Sequence, residues 1–137
     1  MTQHLSLFTR MGDRFSTWDI TNGLRSIIPT VLTSGVLGYP FCLPDMIGGN
    51  CYFGQRPDKE LLVRWTQLNA LLPAMQFSVA PWDVSKEADT FCAAALEVRQ
   101  ALKDVLLKVG GVTGTCGGGP VGTHILMQTH LRRITSL

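Results

Sequence analysis

An α/β chain with parallel strands is what this sequence predicts, and three observations predict it. Helix-period segments alternate with short apolar segments flanked by Gly and Pro, and such alternation argues for a parallel sheet with crossover helices. Asp13 and Asp45 each stand where a strand would end, with one helix–strand unit between them. That is the layout of neighbouring loops at the carboxyl ends of strands in a parallel (β/α)8 barrel. The chain has 137 residues and 45% hydrophobic content, enough for one modest core. A complete barrel takes about 250 residues, so the expectation is part of one.

The elements follow in order. Thr17 or Asp19 is expected to cap a helix running to about Ser34, with Ile20, Leu24, Ile27, Ile28, Val31 and Leu32 at helical spacing. Pro29 lies inside that pattern and predicts a kink, and Gly35 and Gly38 end it. Residues 38–45 are short, apolar and bounded by breakers, which fits a buried strand. Its Pro40 and Pro44 sit near the ends, where a missing N–H is tolerable. A Gly-rich loop spans 46–57. Asp58 caps a second helix with Leu61, Leu62, Trp65, Leu68 and Leu72 on one face, and Pro73 stops it. Residues 74–78 read as a second short strand and Pro81-Trp82-Asp83 as a turn. A third helix is expected over 85–108, with Phe91, Ala95, Val98, Leu102, Val105 and Val109 as its apolar stripe. Two strands and three helices cannot cover both faces of a parallel sheet, so further partners must come from elsewhere. Beyond Gly110 the run to Pro120 is too Gly-rich for a helix or stable strand, and Val121–Leu137 fits one short strand or helix.

Composition excludes several functions. A net charge of +2 with both signs scattered gives no basic stripe for nucleic acid, and His130-Leu-Arg-Arg133 is the one basic cluster. Pro29, Pro40, Pro44 and Pro73 interrupt the apolar stretches, so no membrane contact by this segment is expected. The N-terminal residues lack the basic start and apolar run of a secretory signal. Cys42, Cys51, Cys92 and Cys116 show no Cys-x-x-Cys spacing and read as separate thiols. The irregular spacing of Cys116, His124 and His130 gives no metal site. The Gly114–Gly119 run is not a phosphate loop, since no Gly-Lys-Ser/Thr follows it. Read alone, Asp13 and Asp45 suit turns or caps, and Arg10 suits a surface ion pair. Trp18, Trp65 and Trp82 read as packing residues rather than sugar platforms.

Longer blocks carry a resemblance. They are Thr2-Gln-His-Leu5, Phe8-Thr-Arg-Met-Gly-Asp13, Trp18, and Leu24-Arg-Ser-Ile-Ile-Pro-Thr-Val-Leu-Thr33. Further on come Leu37-Gly-Tyr-Pro-Phe41, Leu43-Pro-Asp-Met-Ile-Gly-Gly-Asn50, Glu60-Leu61, Arg64-Trp65, Pro73-Ala-Met-Gln-Phe-Ser78 and Pro81-Trp82. Together they resemble the C-terminal half of the catalytic barrel of glycoside hydrolase family 31, and within it the myogenesis-regulating glycosidase branch. The fold implied is a partial TIM (β/α)8 barrel covering the last strands and helices. Residues 1–109 would belong to the barrel and 110–137 would be a Gly-rich divergent tail.

The resemblance implies a fragment of a retaining α-glycosidase that hydrolyses O-glycosyl bonds of an α-galactoside or α-glucoside. Such enzymes use two carboxylates about 5–5.5 Å apart. Asp13, in the family's Gly-Asp motif, would be the general acid/base. The nucleophile would lie upstream of this chain, so the fragment alone is expected to be inactive. Asp45 would lie beside the sugar subsite and serve orientation. Arg10 stands where the family often has tryptophan and is a candidate substrate contact. The Gln76-Phe-Ser78 segment replaces a usual sugar-contacting histidine, which opens the choice of sugar. No metal and no cofactor are implied. The implied partner is a carbohydrate, and homo-oligomerisation of the parent stays open. By resemblance the parent is anchored in secretory-pathway membranes. The alternative is a barrel remnant acting as a non-catalytic binding or regulatory protein.

Overall fold

Strand β1 (Thr9–Arg10) lies parallel to strand β2 (Cys42–Leu43), with Thr9 opposite Cys42 and Arg10 opposite Leu43. The computed structural model that gives this arrangement describes residues 8–107. The ladder closes through Thr9 N–H to Phe41 O (2.8 Å) and Met11 N–H to Leu43 O (3.0 Å). Just beyond β2, Ile47 forms a parallel bridge with Phe77. Its N–H donates to Gln76 O at 2.7 Å, and Ser78 N–H donates to Ile47 O at 3.1 Å. Three extended segments therefore run side by side and in chain order, as in a barrel wall. The strand expected over 74–78 is reduced to the bridge at Phe77, while Thr9–Arg10 is a strand that the apolar pattern did not mark. Its two residues are exposed, so hydrophobicity carries no signal there.

Between the paired strands lies helix α1 (Ile27–Val36), preceded by a 3-10 turn over Leu24–Ser26. It starts later than the sequence suggests. Asp19 accepts hydrogen bonds from the Thr21 and Asn22 amides at 2.9 and 2.7 Å, which organises a turn rather than the helix. Pro29 falls in the first turn of α1, where its missing N–H costs nothing, so it does not interrupt the helix. Gly35 lies inside α1 and only Gly38 ends it. Tyr39 N–H donates to Ser34 O (2.8 Å) and Gly38 N–H to Gly35 O (3.1 Å), a Schellman termination. It needs the left-handed φ of 89° that Gly38 supplies.

Helix α2 (Lys59–Asn69) begins as the sequence predicts: Asp58 Oδ1 accepts the Leu61 N–H at 2.8 Å. It ends at Asn69, short of Leu72 and Pro73. The expected Pro-Trp-Asp turn is a single helical turn, α3 (Pro81–Val84), with Pro81 in its first turn. Helix α4 (Lys86–Ala101) is capped by Ser85, whose Oγ accepts the Ala88 N–H at 3.0 Å. Residues 103–107 are again helical after a turn at Leu102, and the expected helix end at 108 lies outside the described residues.

The core cluster contains Leu24, Ile27, Ile47, Leu61, Leu62, Trp65, Ala88 and Cys92. On α1 the inward face is Leu24, Ile27 and Val31, whereas Ile28 and Leu32 are exposed. The predicted stripe of α4 keeps Ala95 but is otherwise shifted, and its Val109 lies outside the described residues. Ala88, Cys92, Ala95 and Arg99 are buried, while Phe91 and Val98 are 54% and 52% exposed. Small side chains at the contact let α4 approach α2 closely, to a Thr66 Oγ1–Cys92 Sγ separation of 3.3 Å. At the far end the buried Arg99 donates to the carbonyls of Asn69, Ala70, Leu72 and Pro73. Asn69 O also accepts the Leu72 N–H at 3.0 Å, and for the carbonyls beyond it Arg99 is the donor, so it caps the end of α2 from the neighbouring helix. Cys42, Cys51 and Cys92 are free thiols. Among the described residues no helix is long and apolar enough to cross a membrane.

Candidate active site

Asp13 and Asp45 both follow the C-terminal ends of the paired strands, and Arg10, at the end of β1, reaches both. Arg10 Nη1 donates to Asp13 Oδ1 at 2.8 Å and Nη2 to Asp45 Oδ1 at 2.6 Å. The three residues singled out from the sequence thus form one cluster. Parallel pairing of Arg10 with Leu43 sets this up, because it brings the residues just after each strand to the same edge.

The two carboxylates live in different surroundings. Asp45 is 0% exposed, and its backbone takes a φ of 105°, which Asp adopts more readily than most residues. Its Oδ2 accepts the Arg14 N–H at 2.7 Å and the Asn50 side-chain amide at 2.6 Å, while Oδ1 takes Arg10. Both oxygens are therefore engaged by protein donors. Asp13 keeps 48% of its side chain in solvent. Its Oδ2 accepts a hydrogen bond from the Tyr52 hydroxyl, and Oδ1 accepts from Arg10. These two bonds, Tyr52 first and Arg10 second, hold the Asp13 carboxyl below the usual carboxylate range. The same contacts act in reverse on their partners. The bond to Asp13 raises Tyr52, and it is also the main cause raising Arg10.

A second, buried layer supports the cluster. Arg14 is 5% exposed; its Nε donates to Pro44 O at 3.0 Å, and its Nη1 donates to Ser26 Oγ. The Ser26 hydroxyl in turn donates to Gly23 O at 2.6 Å. Arg14 thereby ties the Asp13 loop to β2 and to the entry of α1. Burial pushes its guanidinium below the usual range, and Asp45 opposes that shift. The loop after β2 is laid directly on the Asp13 loop. Asn50 N–H donates to Arg14 O at 2.8 Å and Cys51 N–H to Ser16 Oγ at 3.2 Å. Gly49 makes this approach possible: a Cβ there would lie 2.7 Å from Phe15 C and O and Ser16 N, and its φ is +75°.

Arg14, Asn50 and Tyr52 were missed by sequence reasoning. Tyr52 carried a usable signal, since it lies on the loop after a strand-end aspartate, where function concentrates. Arg14 carried none, because its partners are distant in the chain, and Asn50, five residues after Asp45, carried no sign that the loop folds back onto that carboxylate. Trp65 is fully buried and is a packing residue; Trp82 is exposed on α3. Cys116, His124 and His130 lie outside the described residues.

Comparison with known proteins gives a consistent result. Residues 2–109 match the family profile described as the glycosyl hydrolases family 31 TIM-barrel domain. The chain is 43% identical over 130 residues to the myogenesis-regulating glycosidase of Mus musculus, covering 88% of this chain and 18% of that protein. It is 47% identical over 81 residues to the SITS-binding protein of Tetronarce californica, covering 59% of this chain and 12% of that one. Among solved structures, the glucosidase II α subunit in its α3-Glc2-bound form superposes with a TM-score of 0.63 at 30% identity. That match covers 77% of this chain and 12% of the other. The chain spans less than a fifth of the length of the curated relatives it matches.

Proposed function

The chain belongs to family 31 of the glycosyl hydrolases, and we propose that it supplies the general acid/base of a retaining α-glycosidase, Asp13. The observation that carries the reading is the contrast between the two strand-end carboxylates. Asp45 has no solvent access and both its oxygens are occupied. Asp13 faces solvent at the edge where barrel enzymes keep their chemistry. In the first step the nucleophilic carboxylate from the rest of the barrel bonds to the anomeric carbon as the glycosidic C–O bond breaks and the Asp13 carboxyl gives its proton to the leaving oxygen. In the second step water bonds to the anomeric carbon, the glycosyl–carboxylate bond breaks, and the Asp13 carboxylate takes a proton from that water. Tyr52 and Arg10 favour the ionised form, which is the form that the second step requires. An anionic nucleophile close by would raise the proton affinity for the first step.

In this reading the nucleophile comes from the remainder of the barrel, and this segment alone turns over no glycoside. Arg10 is the subsite residue that a sugar hydroxyl meets, and Asp45 orients it. Substrates are aryl or natural α-glucosides or α-galactosides, and the parent works in the secretory pathway. The barrel part is residues 1–109. One observation favours a second reading, a barrel kept for binding: one of the relatives is named for what it binds.

The test is made in the full-length protein bearing this segment. Asp13→Asn should abolish turnover of α-glycosides with poor leaving groups, and azide should restore turnover of an activated aryl glycoside as the glycosyl azide. Unchanged turnover in Asp13→Asn refutes the assignment. Absence of turnover in the wild-type protein, together with retained sugar binding, supports the binding reading.

A further inference from the structure

We propose that Tyr52 is a positioning residue for Asp13, delivered to it by the loop that follows β2. The proposal rests on the acid/base reading of Asp13. Its basis is geometric. The Tyr52 hydroxyl donates to Asp13 Oδ2, while Arg10 holds Oδ1. The two oxygens of one exposed carboxylate are thus held by donors from two segments, the end of β1 and the loop after β2.

The loop that carries Tyr52 is itself fastened. Asn50 anchors it to Arg14 O through backbone and side chain, at 2.8 and 3.2 Å, and Cys51 N–H bonds to Ser16 Oγ at 3.2 Å. The Tyr52 ring stands edge-on to Phe15, with centroids 6.1 Å apart and planes at 77°. Cys51 and Phe53, on either side of Tyr52, have φ of 53° and 56°. Such left-handed conformations are uncommon for residues with a Cβ and cluster where a surrounding structure over-determines them. Here they turn the chain twice around Tyr52, so its side chain faces the Asp13 loop while Phe53 is 96% exposed.

A phenol suits this place. It remains a neutral donor through the working range of a glycosidase. It therefore stabilises the carboxylate left after proton donation without adding a charge that would compete with Arg10. Its removal should raise the proton affinity of Asp13, since it is the largest cause of the depression.

The test is Tyr52→Phe in the full-length protein, which keeps the ring against Phe15 and removes only the hydroxyl. The dependence of kcat/KM on pH is measured with an α-glycoside of poor leaving group and with the glycosyl fluoride, which needs no proton to depart. The expected result is an alkaline limb moved to higher pH for the first substrate and an unmoved profile for the fluoride. An unmoved limb, or equal slowing of both substrates, overturns the proposal. A second measurement needs no turnover: the 13C carboxyl resonance of labelled Asp13, identified by its loss in Asp13→Asn, is titrated in both proteins. Its midpoint should rise in Tyr52→Phe, and an unchanged midpoint overturns the proposal. If Asp13→Asn leaves turnover intact, the acid/base reading fails, and this titration still decides whether Tyr52 holds the carboxylate.

Discussion

Replacing Asp45 by alanine is the perturbation whose cost the structure specifies most fully. The side chain is closed to solvent and accepts three hydrogen bonds, from Arg14 N–H (2.7 Å), Asn50 Nδ2 (2.6 Å) and Arg10 Nη2 (2.6 Å). Hydrogen bonds to a charged group contribute about 1.5–3 kcal/mol each, and removing the acceptor leaves its donors unsatisfied. The first two bonds lie inside the structure and together amount to about 3–6 kcal/mol. The third involves a half-exposed Arg10 and adds less than about 1 kcal/mol. Asp45→Ala should therefore destabilise the intact protein by about 4 kcal/mol. Asp45→Asn separates the parts. Its carbonyl oxygen can keep the Arg14 and Asn50 donors, but its NH2 then faces Arg10, donor against donor, at a cost of about 1–2 kcal/mol. Urea denaturation followed by tryptophan fluorescence, with the buried Trp65 as reporter, measures both variants at a common slope. A loss below about 1 kcal/mol for alanine, or equal losses for the two variants, would refute the assignment of these bonds.

Three further outcomes are expected. Arg99→Met keeps the aliphatic stem but removes the guanidinium donor from the carbonyls of Ala70, Leu72 and Pro73, while Asn69 O keeps the Leu72 N–H, and should cost about 3–4 kcal/mol in the same assay. A wild-type midpoint would show that those carbonyls find other donors. Gly49→Ala forces a Cβ against the Phe15–Ser16 backbone and should cost about 1–3 kcal/mol. It should also reduce activity more than stability, because the atoms it displaces adjoin Asp13; equal effects on both would count against the loop contact. The pH dependence has a definite sign. Asp13 is depressed in the folded chain, so its bonds to Tyr52 and Arg10 are intact above the ordinary carboxylate range and are lost as pH falls through the depressed value. The Cys51 amide, bonded to Ser16 Oγ, should keep its protection relative to the intrinsic exchange rate down to that range and lose it below. Loosening near neutrality would contradict the network.

Much of the local structure was legible because its causes are local. Asp58 and Ser85 cap α2 and α4 through amides three residues on, and Gly38 closes α1 with bonds back to Ser34 and Gly35. Strand-end aspartates one helix–strand unit apart also announced their common edge. The failures are equally specific. Thr9–Arg10 is a strand because Phe41 and Leu43 offer it carbonyls, and nothing apolar in those two residues says so. Pro29 implies a kink only in a helix that begins near Thr17 or Asp19; in α1, which begins at Ile27, it falls in the first turn.

The face of α4 is the clearest division between the two sources of information. Helical spacing admits a stripe through Phe91, Ala95 and Val98 and another through Ala88, Cys92, Ala95 and Arg99, and hydrophobicity favours the first. The structure buries the second, because small side chains fit the narrow space against α2 and Arg99 then reaches its carbonyls. The sequence by itself determined the alternation of helices and extended segments, the Asp58 cap of α2, and the two carboxylates placed at strand ends. Only the tertiary structure decided that Arg10 joins those carboxylates, that Asp45 is sealed and Asp13 open, and that Tyr52 reaches Asp13. The reason is that short-range preferences are written in neighbouring residues, whereas the Arg10–Asp45 and Tyr52–Asp13 bonds link residues far apart in the chain and exist only once parallel pairing brings them to one edge.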